Sequence, residues 1–140
     1  MAERPPMILV VDDEAYMVFM IKNILERAGY TVLTAPTVEQ AMDLCQAHRD
    51  RIDLLIADVV LNPTATSSRR SLTGFHLACW IAPLCPKARV LLVSGADPQR
   101  INSLGGVPPG AAFLSKPFEA ETLLSMVGRL LTDRQETRGS

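Results

Sequence analysis

The chain is 140 residues long, 48% hydrophobic and 21% charged, with a formal net charge of -1; this is the balance of one globular domain, large enough to bury a core without disulfide or metal staples, and not of a disordered or fibrous chain. A charge so near zero exerts no overall pull towards nucleic acid or an anionic bilayer. Three cysteines, Cys45, Cys79 and Cys85, lack C-x-x-C spacing and are odd in number, which argues against a disulfide framework or a zinc site.

After "AERPP", the run "MILVV" (7–11) has the continuous apolar character of a parallel strand covered on both faces. Met17, Met20, Ile21, Ile24, Leu25 and Ala28 then recur at helical spacing, and Gly29 stands where a C-terminal cap belongs. "TVLTA" (31–35) is the second strand. "TVEQAMDLCQAH" is the second helix, opened by the capping-box pair Thr37 and Gln40. "IDLLIAD" (52–58) is the third strand, and "GFHLACWIA" a third helix stopped by Pro83. "RVLLVS" (89–94), a short helix capped by Asp97 in "ADPQRINSL", "AAFLSK" (111–116) and the helix "EAETLLSMVGRLL" complete the series.

Strand and helix alternate five times, so the expected fold is α/β, a doubly wound parallel sheet with right-handed crossovers and helices on both faces. One domain is expected over residues 1–140, with its core at about 6–132 and a polar tail over 133–140. No run approaches about 18 apolar residues and no signal-like segment leads the chain. A reducing cytoplasm is therefore the expected compartment.

Ligands of such sheets bind beyond the carboxyl ends of the strands. The first strand ends in Asp12 and Asp13, the third in Asp58, the fourth in Ser94 and the fifth in Lys116. Singly, each has a plain alternative: an acidic helix cap, a turn residue, a hydroxyl cap, a solvated surface charge. Their joint placement at four strand ends is what points to a site.

Three clustered carboxylates repel one another unless cations join them. Lys116 supplies one positive charge, and a donor set of oxygens without His or Cys suits Mg²⁺ better than zinc. A cation beside a third carboxylate fits phosphoryl transfer to that carboxylate. Asp58 is then the nucleophile, with Lys116 and the Ser94 hydroxyl each meeting an oxygen of the transferred group.

The segments "ILVVDDEA", "LLIAD", "LLVSGA" and "FLSKPF" together resemble the receiver domain of two-component response regulators. The resemblance implies the flavodoxin-like strand order 2-1-3-4-5 and a cis bond between Lys116 and Pro117. It also implies that Asp58 accepts a phosphoryl group from a sensor histidine kinase or a histidine phosphotransfer protein. Asp13 would bind Mg²⁺ most directly, Asp12 would assist, and the Val60 carbonyl would add a ligand. Ser94 and Phe113 would form the switch, the ring turning inward as the hydroxyl moves to the phosphoryl group; a core aromatic is the plainer reading of Phe113. Such a domain is not an enzyme beyond catalysing its own phosphorylation and slow dephosphorylation. Its output would run through a downstream protein, with room for a homodimer and with no direct nucleic-acid or membrane contact.

Two departures from the family pattern stand out. The glycine expected soon after the phosphoacceptor is deferred to Gly74, lengthening the loop over 62–73, where Arg69 and Arg70 either sit on a tolerated surface insertion or dock over the site. Val60 and Ala96, two residues past Asp58 and Ser94, cannot hydrogen-bond an attacking water, so slow loss of phosphate is expected. The competing function is a phosphate-independent interaction module on the same fold. A phosphohydrolase of the haloacid dehalogenase type is disfavoured because D-x-D is absent after the first strand, and a nucleotide or flavin binder because no glycine-rich loop follows it.

Overall fold

The computed structural model describes residues 5–49, 51–58, 88–95 and 111–139, with side chains as far as residue 132. Its strands are β1 (Met7–Val11), β2 (Thr31–Ala35), β3 (Ile52–Asp58), β4 (Arg89–Ser94) and β5 (Ala111–Ser115), and its helices are α1 (Ala15–Arg27), α2 (Val38–Ala47) and α3 (Ala120–Gly139). The expected third and fourth helices, the 62–73 loop with Arg69 and Arg70, Gly74, Cys79, Cys85, Val60 and Ala96 lie outside the described residues.

All strand pairings are parallel, in the order β2-β1-β3-β4-β5. The expected doubly wound sheet is thus the observed one. Side chains alternate across each strand, so one apolar run feeds two cores. Leu9 and Val11 join Leu55, Ala57 and Leu92 beneath Val38, Ala41 and Cys45 of α2. Ile8 and Val10 join Leu54, Ile56, Leu91 and Val93 beneath Ile21 and Leu25 of α1 and Leu123, Val127, Leu130 and Leu131 of α3. At the ~25 cal/mol per Å² of apolar area removed from water, these two layers supply the main drive to fold.

β3 lies at the centre and is buried along all its seven residues. Its start carries an irregularity: Met7 is registered with Ile52, but Ile8 with Leu54, which leaves Asp53 as an extra residue. The bulge puts Ile52 and Leu55 on the same face, although three residues apart in a regular strand point oppositely. The Asp53 carboxylate accepts the Met7 N–H at 2.9 Å, satisfying a donor at the irregular step.

Helix ends follow the local sequence. α1 closes in a Schellman arrangement, with Gly29 N–H donating to Glu26 at 3.0 Å and Tyr30 N–H to Leu25 at 3.1 Å. Gly29 has φ +99°, a conformation that side-chain-bearing residues rarely adopt. α2 is capped by the Thr37 hydroxyl, which accepts the Gln40 N–H at 3.1 Å. α3 runs on to Gly139, past the stop expected near Leu131. The residues from Thr132 to Arg138 contain no proline and are rich in Arg, Gln and Glu, which tolerate helix well. None of the described helices is long and apolar enough to cross a membrane.

Candidate phosphoacceptor and cation site

The parallel sheet brings the carboxyl ends of β1, β3, β4 and β5 to one edge. Asp12 follows β1, Asp58 ends β3, Ser94 ends β4, and Lys116 follows β5. Asp12, Asp58 and Ser94 are buried. An ionised side chain there requires partners, because desolvation without compensation costs several kcal/mol.

Lys116 supplies them. Its Nζ donates to Asp58 Oδ2 at 2.7 Å and to Asp12 Oδ2 at 3.3 Å, and lies 3.8 Å from Glu14 Oε1. The strand ends hold the lysine at its root, where its backbone N–H donates to the Ser94 carbonyl at 2.8 Å. The Lys116–Pro117 peptide bond is cis. Asp12 is oriented through its other oxygen: Oδ1 accepts the Glu14 N–H at 2.9 Å, in the manner of an Asx turn leading into α1. The backbone N–H of Asp12 donates to the Ala35 carbonyl of β2 at 3.2 Å.

The electrostatics follow from this crowding. Burial holds the Asp12 carboxyl above its ordinary range and the charge of Asp58 adds to that, outweighing the opposing Glu14 N–H and Lys116 ammonium. Burial alone would lower Lys116, but the hydrogen bond and charge of Asp58, with those of Asp12, raise it above its ordinary value. The ammonium is thereby fixed in its charged form. Lys116→Met is expected to cost about 1–3 kcal/mol, since it takes the ammonium away from two buried carboxylates. Urea unfolding checks this, and Asp12→Asn in the Met background should recover part of the loss; additive losses would show that the charges are not coupled.

Asp12, Glu14 and Asp58 offer carboxylate oxygens within 4.8 Å of one another, an all-oxygen set suited to a hard divalent cation. Asp13 is beside them, half-buried, and lines an adjoining cavity of about 300 Å³ with Asp12, Val18, Phe19, Lys22 and Pro36. Phe113 is half-buried and packs against the core cluster on the α2 face. Sequence reasoning does not single out Glu14. Its place in "DDEA" is the available signal, but only the turn into α1 shows that its carboxylate reaches Lys116.

Comparison with known proteins bears on the family and the fold. The family model described as the response regulator receiver domain matches residues 8–128. Protein CcdB of Bacillus subtilis is 31% identical over 126 residues, covering 89% of this chain and 96% of that protein. The transcriptional regulatory protein YvrH of Bacillus subtilis is 30% identical over 122 residues, covering 86% of this chain but 46% of YvrH, so the chain spans about half the length of that relative. Among solved structures, the Vibrio cholerae chemotaxis protein CheY4 superposes with a TM-score of 0.70 at 27% identity, over 91% of this chain and 99% of that one.

Proposed function

We propose, from the premise that this chain belongs to the response regulator receiver domain family of two-component systems, that it accepts a phosphoryl group on Asp58 from the phosphohistidine of a sensor kinase or a histidine phosphotransfer protein. The observation that carries this reading is the placement of Lys116 Nζ 2.7 Å from Asp58 Oδ2 in a buried acidic cluster at the strand ends. A carboxylate oxygen of Asp58 forms the new bond to phosphorus as the phosphorus–nitrogen bond to the donor imidazole breaks. The imidazole nitrogen keeps that electron pair and then takes a proton.

Lys116 holds and orients the Asp58 carboxylate, and its ammonium meets one oxygen of the arriving phosphoryl group. The Ser94 hydroxyl, at the end of the neighbouring strand, meets a second. The donor set fits Mg²⁺, which Asp12, Asp13 and Asp58 would hold with the Val60 carbonyl, and which when bound neutralises charge on the phosphoryl oxygens. Ser94 and Phe113 carry the response outward: the hydroxyl is drawn to the phosphoryl group and the ring follows, shifting the population between two packings.

The receiver spans a core of about residues 6–132, acts on itself and not on an external substrate, and works in the cytoplasm through a downstream protein. Exposed Tyr16 (76%) and Phe19 (65%) on α1, the latter lining a cavity with Asp12 and Asp13, offer aromatic surface for a protein donor to cover. The test is intact mass after incubation with acetyl phosphate, with Mg²⁺ or with chelator. A metal-dependent gain of one phosphoryl group is expected. No gain in a chain whose circular dichroism shows it folded would transfer the assignment to a phosphate-independent interaction module.

A further inference from the structure

Glu14 is the N-cap residue of α1 and makes no side-chain cap hydrogen bond. Its side chain is 67% exposed and lies on the solvent side of the cluster, with Oε1 3.8 Å from Lys116 Nζ. That distance is too long for a direct hydrogen bond but short for a Coulomb interaction. Among the described residues, Lys116 therefore has two inner carboxylates, Asp58 and Asp12, and one outer, solvent-exposed carboxylate, Glu14. An anion approaching Lys116 meets Glu14, while a divalent cation meets one more oxygen ligand or counter-charge at the mouth.

We propose that Glu14 sets the donor preference of this site, strengthening divalent cation binding while disfavouring free anionic phosphodonors. The inference rests on the function proposed above and adds to it the chemistry of the preferred donor. A phosphohistidine carried by a protein with a Lys or Arg side chain near its histidine neutralises Glu14 on docking, and a small dianionic donor cannot. Among the described residues, the other charged groups at the site are Asp12, Asp13, Asp58 and Lys116, with Lys22 on the adjoining cavity. Glu14 is the exposed member of the carboxylate trio, so removing its charge leaves the inner pairing in place.

One charge acting on two species of opposite sign predicts opposite effects. Glu14→Gln should weaken Mg²⁺ binding, read by calorimetric titration, by about three- to tenfold, the range for a unit charge several ångströms away in largely aqueous surroundings. At saturating Mg²⁺ the same variant should be phosphorylated by acetyl phosphate about three- to tenfold faster, and by phosphoramidate, which carries less negative charge, by a smaller factor. Both changes should shrink towards unity in ~1 M salt, where the Debye length is about 3 Å. A merely structural role would slow uptake and weaken Mg²⁺ binding together, without the salt dependence.

An unchanged Mg²⁺ affinity, or equal acceleration with both donors, would overturn the role of Glu14 even though phosphoryl uptake persists. Failure of the natural chain to take up phosphate from either donor would instead overturn the function on which the donor preference rests.

Discussion

Asp58→Asn is expected to abolish phosphoryl uptake while leaving the fold in place. The amide has nearly the shape of the carboxylate and can still accept from Lys116, but its oxygen is a poor nucleophile and its nitrogen is held in the amide resonance. Asp58 is buried and its Oδ2 is 2.7 Å from the Lys116 ammonium. Asp12 and Glu14 meet the same ammonium at 3.3 and 3.8 Å, so their carboxylates are the natural candidates for misdirected transfer. Intact mass on the natural chain and the Asn variant, each with Mg²⁺ and acetyl phosphate, separates these cases. Uptake that is lost in the variant, and labile to hydroxylamine in the natural chain, identifies an acyl phosphate on Asp58. Undiminished uptake in the variant places the acceptor elsewhere and removes the central claim.

Leu55→Ala is expected to cost about 2–5 kcal/mol, a large share of the ~5–15 kcal/mol that holds a domain of this size together. Leu55 is 0% exposed at the centre of β3, packed with Leu9, Ala41, Cys45 and Leu92 in the layer under α2. Truncation removes buried methyl and methylene groups and opens a cavity that strands on both sides prevent from closing. Urea unfolding followed by far-UV circular dichroism measures the loss. Tyr16→Ala, on the exposed face of α1, is the matched surface control and should stay within about 0.5 kcal/mol. A Leu55 variant as stable as that control would mean that the layer tolerates a void at its centre.

The difference between those two positions was largely legible in the chain. Within "IDLLIAD" the apolar run 54–57 lies between Asp53 and Asp58, and all seven residues are buried in β3. Tyr16 falls off the stripe formed by Met17, Met20, Ile21, Ile24 and Leu25, and it is exposed. Gly29 and Thr37 likewise act where their chemistry suggests, because caps depend on residues within a few positions of one another. The helix after β5 outran its apolar stripe for the converse reason: the stripe in the sequence stops at Leu131, but backbone helicity continues where the following residues favour it.

By itself, then, the sequence determined the five strands and the three described helices, the two-sided burial of β1, the caps at Gly29 and Thr37 and the positioning of Asp12, Asp58, Ser94 and Lys116 at strand ends. These depend on periodicity and on neighbours along the chain, and parallel strands bring their carboxyl ends to a common edge whatever the details. Only the tertiary structure decided how those ends meet. Lys116 bridges to Asp58 across 58 positions and to Asp12 across 104, and distances of 2.7 and 3.3 Å depend on strand order, register and side-chain direction together. The bulge at Asp53 decided which face receives Ile52, since one extra residue reverses the alternation. The turn into α1 carried Glu14 to within 3.8 Å of Lys116, so the third acid of "DDEA" stands at the mouth of the site.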